Sequence, residues 1–137
     1  MTDEPLRPAW SNQFSPEALR SIQTEGPIAE ITRQWAWAGS RGQGVKVAVV
    51  DSGIEASHPA LEGAVAGGVA VVYDERYNTR VRIEPDNPPR DLSGHATACA
   101  GIIHSLAPEA ELYSVRVLGR DMRGKAVQFA GGLRWAI

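Results

Sequence analysis

Val45-Lys-Val-Ala-Val-Val-Asp51-Ser-Gly-Ile54 is a valine-rich run that ends on a carboxylate and then on two residues able to turn sharply. Residues 46–50 are too few for a helix, and their β-branched side chains suit a central parallel strand buried on both faces. Further on, Asp91-Leu-Ser-Gly-His95-Ala-Thr-Ala-Cys-Ala-Gly-Ile102 sets a histidine at the start of a helix built from small residues. An aspartate leaving a strand, followed in the chain by a histidine opening a helix, matches in type and order two of the three residues of one kind of Ser/His/Asp arrangement.

Working outward, residues 69–73 form a second strand candidate. Residues 74–92 are polar, carry Pro85, Pro88 and Pro89, and read as a surface insertion with a short strand near 80–83. The helix from His95 runs to about Ser105 and stops before Pro108. Residues 111–118 form a third strand, 119–124 a turn, and a helix begins near Lys125. In that helix Val127, Ala130, Leu133, Arg134 and Ile137 recur at helical spacing up to the last residue, with no stop signal. The reading is therefore the first part of a longer domain. Toward the N-terminus, Gly39, Gly42 and Gly44 end a helix over about 28–38, whose apolar face holds Ile28, Ile31, Trp35 and Ala38. Before it come a short helix over 16–24, capped by Ser15 and Pro16, and an extended arm over 1–15. Strands alternating with helices predict an α/β fold with a parallel sheet.

Composition bounds the function. The chain has 137 residues, 43% hydrophobic and 22% charged, with a net charge of −2. That suffices for one globular core. The 14 basic residues are scattered, which argues against nucleic acid. No apolar run reaches the roughly 18 residues of a membrane span. The polar, acidic start lacks a signal-peptide pattern, so a cytoplasmic location is expected. A single cysteine excludes an internal disulfide.

Asp51, at a strand's carboxyl end, lies where open α/β sheets place their ligands. Its carboxylate suits accepting a hydrogen bond from an imidazole Nδ1–H; capping a helix or holding a metal are the alternatives. His95 sits in the first turn of a helix, whose field disfavours imidazolium, while a nearby carboxylate favours it. Alone, the histidine reads more readily as an ordinary capping residue. Ala96, Ala98, Ala100 and Gly101 suit a helix packed closely on all sides. The glycines at 39–44 precede a strand, whereas phosphate loops follow one, so that reading is set aside. His104 lies on the opposite side of the helix from His95, so a zinc site with Cys99 is set aside as well.

Together these segments resemble the subtilisin-like serine proteases. Val47-Ala-Val-Val-Asp51-Ser-Gly-Ile, followed by His58-Pro59, is similar to that family's aspartate motif. Gly94-His95-Ala-Thr97-Ala-Cys-Ala100-Gly101-Ile is similar to its histidine motif, and Ala107-Pro108-Glu-Ala-Glu-Leu112-Tyr-Ser-Val115-Arg-Val-Leu118 to the strand that follows. The resemblance covers about residues 28–137 and leaves 1–27 as an N-terminal extension. That extension is too short for the folding prodomain of secreted members. The sequence departs from the family at Ala96, usually Gly, at Ala98, usually a second histidine, and at Cys99, which replaces an aliphatic and is expected to pack like one.

The resemblance implies a three-layer α/β fold with a mainly parallel sheet, truncated before the serine-bearing half. It implies a serine endopeptidase with Asp51 as the orienting acid and His95 as the general base. The nucleophile and the oxyanion-hole asparagine would lie beyond Ile137, supplied later in the gene or by a second fragment. Met122, Arg123, Gly124 and Lys125 correspond to the edge segment that pairs with an extended peptide or protein substrate. No cofactor is required, and structural calcium is left open. The rival readings are a non-catalytic peptide-binding module of this fold and an unrelated α/β hydrolase or phosphatase using Asp51 as nucleophile or metal ligand.

Overall fold

The computed structural model describes residues 32–61, 63–77 and 80–137. The expected arm over 1–15, the helix over 16–24, the start of the helix at 28 and the boundary after 27 lie outside the described residues. What is described of that N-terminal unit is α1, Arg33–Trp37. Thr32 caps it, its hydroxyl oxygen accepting the Trp35 N–H at 3.1 Å. Ala38 and Gly39, both at positive φ, turn the chain out of it.

From Gly39 onward the chain builds β1 (Lys46–Asp51), a 3₁₀ turn (Pro59–Leu61), β2 (Val65–Tyr73), β3 (Val81–Pro85), α2 (His95–Leu106), β4 (Glu111–Arg116) and α3 (Ala126–Ala136). The sheet order is β1-β4-β2-β3. β1, β4 and β2 run parallel, and β3 returns antiparallel to β2. The fold is thus α/β with an open, mostly parallel sheet. Among the described residues no helix is long and apolar enough to cross a membrane.

Side-chain alternation divides the sheet into two faces. Val47 and Val49 of β1 pack with Leu112, Ile54, Leu61, Ala96 and Ala100, the face covered by α2. Ala48 and Val50 pack with Val69, Val71, Val115 and Val117 on the other face. There Gly131 and Gly132 of α3 lie so close that a Cβ on Gly132 would meet Val117 at 2.9 Å and Val115 at 3.0 Å. In β2 the faces switch: Val65 belongs to the α2 side, whereas Val69 and Val71 belong to the α3 side. A register shift between Val65 and Gly67 inserts the extra residue that flips the alternation.

Two expectations need correction. β1 is not central: among the described residues it is the end strand, paired only with β4, and it is half-buried rather than enclosed. Its valines reflect coverage by a helix on each face, which an end strand can also have. The short strand expected near 80–83 is present as β3, which forms a hairpin with β2. α2 is not packed on all sides. Ala96, Thr97 and Ala100 are buried, while Ala98 and Ile102 are exposed, the latter at 62%. In α3 the buried stripe is Gly131 and Gly132, and Leu133 at 55% and Ile137 face outward. Close approach to a valine-covered sheet selects the residues without side chains.

Candidate active site

Asp51 is the last residue of β1 and shares the parity of Val47 and Val49, so its side chain emerges on the α2 face. Its main chain is held by β4's exit: the Asp51 carbonyl accepts N–H bonds from Val117 at 2.8 Å and Leu118 at 3.1 Å. Ser52 and Gly53 then turn the chain. Gly53 has φ +93, and a Cβ there would stand 2.2 Å from the Arg90 carbonyl oxygen, so no other residue fits.

His95 opens α2 above that turn. Its Nδ1 lies 2.8 Å from Asp51 Oδ2. A carboxylate only accepts, so Nδ1 carries a proton, and in the neutral ring the lone pair is then on Nε2. The other carboxylate oxygen of Asp51 accepts the Ser52 N–H at 2.6 Å. Both Asp51 oxygens are engaged, which suits an orienting group better than a nucleophile. The Asp51 side chain is 18% exposed and the His95 side chain 56%, so the pair runs from a sheltered carboxylate to an accessible ring.

Cys99 follows one turn after His95 and its Sγ lies 4.0 Å from Nε2. It is half-exposed rather than buried like an aliphatic, because the outer side of α2 is uncovered among the described residues. A groove of about 620 Å³ runs along a different side of α2, lined in part by Glu55, His58, Thr97, Ala98, Gly101 and Ile102.

Met122, Arg123, Gly124 and Lys125 follow β4 in an exposed loop leading into α3. The loop is closed by Gly119 N–H donating to the Arg123 carbonyl at 3.0 Å and Met122 N–H donating to the Gly119 carbonyl at 3.0 Å. Met122 adopts φ 57. Lys125 N–H donates to Gln128 Oε1 at 2.9 Å, and its ammonium sits 4.0 Å from the centre of the Tyr73 ring. This loop is not a strand in the structure. It leaves from the carboxyl end of β4, next to the end of β1 that carries Asp51.

Sequence reasoning missed the polar network beneath the pair. Asp91 Oδ1 accepts from Ser52 Oγ at 2.8 Å and from the Ser93 N–H at 2.9 Å. Asp91 Oδ2 accepts from the Thr97 N–H at 2.8 Å and from the Thr97 hydroxyl at 2.5 Å. Burial pushes the Asp91 carboxyl up, but the Thr97 hydroxyl and the N–H groups of Ser93, Thr97 and Gly94 outweigh that and hold it well below the usual carboxylate range. Asp91, rather than Ser93 alone, satisfies the unpaired donors at the start of α2. Arg116, register partner of Asp51, turns its guanidinium to Asp86 in a two-pronged contact at 3.1 Å for each arm. The available signal was an aspartate four residues before the histidine, which a capping search looking for a side chain at the helix start itself passes over.

The fold and this site define an α/β protein with an aspartate–histidine pair at the carboxyl ends of parallel strands. The subtilase family profile matches residues 42–137, and the chain belongs to that family. It is 31% identical over 136 residues to thermitase of Thermoactinomyces vulgaris, covering 92% of this chain and 40% of that protein. It is 40% identical over 108 residues to subtilisin E of Bacillus subtilis, covering 72% of this chain and 25% of that protein. Subtilisin BL of Lederbergia lenta is 42% identical over 108 residues, covering 72% of this chain and 35% of its own length. The chain thus spans well under half the length of these relatives.

Proposed function

We propose that the chain supplies the acid and the base of a serine endopeptidase, and that the nucleophilic serine comes from outside these 137 residues. The observation that carries this is the 2.8 Å contact between Asp51 and His95 Nδ1, which leaves Nε2 on an accessible ring. In this reading Nε2 takes the proton from the serine hydroxyl as its oxygen bonds to the scissile carbonyl carbon. Asp51 stabilises the imidazolium formed. The proton then passes to the amide nitrogen as the carbon–nitrogen bond breaks and the acyl-enzyme remains. Water, deprotonated by the same Nε2, releases the acid. The open loop 122–125 would hold the extended substrate by main-chain hydrogen bonds. Family membership, and relatives named thermitase and subtilisin, support the reading.

The test is chemical. The purified 137-residue chain should take up no fluorophosphonate label and cleave no peptide, since both need an activated serine. Stoichiometric labelling would place the nucleophile inside the chain. Metal-dependent turnover of a phosphate ester would favour a different use of Asp51.

A further inference from the structure

Asp51 and His95 are 44 residues apart and belong to different elements, a strand end and a helix start. Something must set their separation, because a strand end and a helix cap each move within their packing. Two sets of contacts bridge them. The first is main-chain: Leu92 N–H donates to the Ser52 carbonyl at 3.2 Å, and Ala56 N–H to the Pro89 carbonyl at 3.2 Å. The second converges on one carboxylate. Through Oδ1, Asp91 holds the hydroxyl of buried Ser52, the residue next to Asp51. Through Oδ2 it holds both the N–H and the hydroxyl of Thr97, in the first turn of α2 two residues past His95. Thr97 Oγ1 in turn accepts the Glu55 N–H at 3.0 Å, and Ser52 Oγ lies 3.4 Å from the Ala96 N–H it accepts. The main-chain links join the stretch after β1 to the segment leading into α2, and the side-chain links join it to the first turn of α2 itself.

We infer that Asp91 is a positioning residue: its carboxylate clamps the Asp51-bearing turn to the first turn of α2 and thereby fixes the Asp51–His95 hydrogen bond. The inference rests on the reading of that pair as the working acid and base, but it is tested without turnover. A doubly engaged carboxylate can be replaced by neither an amide nor an alkyl group, because an amide's NH₂ would oppose the donors on one side. Thr97 contributes through its oxygen, so serine should serve in its place.

The readout is the tautomer of the neutral His95 ring in the ¹⁵N-histidine-labelled 137-residue chain, by two-bond ¹H–¹⁵N correlation, with His95 assigned by His95→Gln. His58 is an internal reference, because its Nδ1 accepts the Ala60 N–H at 3.2 Å and its proton therefore sits on Nε2. The native chain should show His95 protonated at Nδ1. Asp51→Asn should lose that state. Asp91→Asn and the milder Ser52→Ala should each shift His95 from mostly Nδ1–H to mostly Nε2–H with His58 unchanged, while Thr97→Ser should keep the native state. If Asp91→Asn and Ser52→Ala both leave His95 as in the native chain while Asp51→Asn does not, the pair stands and the clamp is overturned. Loss of the His58 state together with that of His95 would mean that Asp91 serves the fold at large, and would also overturn it. A native chain with His95 protonated at Nε2 would overturn the pairing itself, and the clamp with it.

Discussion

At the scale of single residues, two carboxylates a short distance apart do different work. Asp51 faces the ring and Asp91 faces the donors of the helix start. In an assembled enzyme, Asp51→Asn should lower turnover by about 10⁴-fold with the fold intact, because the amide selects the wrong ring tautomer. Far-ultraviolet dichroism together with peptide hydrolysis checks both halves of that statement. Asp91 makes a different prediction. Its carboxyl is held below its ordinary value in the folded chain, so between the folded value and about 3.9 the unfolded chain binds more protons. The stability this contributes is complete above about pH 4 and is lost as pH falls through the folded value. Urea midpoints should therefore separate the native chain from Asp91→Asn at pH 7, and the gap should narrow as pH drops below about 4. A gap independent of pH would contradict the account. Asp51 and His95 were legible because each stands in a recognisable local setting, a strand end and a helix start. Asp91 was not, because its partners Ser52 and Thr97 meet only when residues 39 and 6 positions away are folded together.

At the scale of elements, the strands and helices that carry the site follow from local pattern, and their faces do not. The runs at 46–50 and 111–118 announced β1 and β4, and the small residues after His95 announced α2. β2 was read only from 69, since Gly67 and Gly68 hide its first half; a Cβ on Gly68 would meet Ser114 at 2.9 Å, so contact across the sheet made glycine necessary. α3 likewise meets the sheet through Gly131 and Gly132, glycine standing where closeness matters most. Two substitutions separate close packing from mere flexibility. Gly132→Ala should destabilise by about 1–3 kcal/mol, since the new methyl group runs into Val50, Val115 and Val117. Gly101→Ala, in α2 with open space around its Cβ position, should stabilise by about 0.5–1 kcal/mol through helix propensity. Chemical denaturation of the two variants beside the native chain reads both; a stabilised Gly132→Ala would refute the close approach of α3.

At the scale of the whole molecule, the described residues leave apolar surface on both outer helical faces: Ile102 and Leu106 on α2, and Phe129 and Leu133 on α3 with Ile137 just past its end. Fully burying a large apolar side chain contributes about 1.5–3 kcal/mol, so covering even a few of these would weigh heavily against a net stability of about 5–15 kcal/mol. The 137-residue chain alone should therefore bind a hydrophobic dye and elute from size exclusion with light scattering as more than a monomer. A dye-silent monomer would show that these faces need no cover, and the non-catalytic peptide-binding reading would gain. The proposal that the chain is the acid–base part of a peptidase is met most directly by assembling it with a serine-bearing segment, encoded downstream or beside it, and measuring peptide hydrolysis for the native chain and for His95→Ala. Turnover that appears only on assembly, and falls by about 10⁶-fold in His95→Ala, is the predicted result. An assembled enzyme whose His95→Ala form keeps turnover within about tenfold of native, where a catalytic base should cost far more, would contradict it.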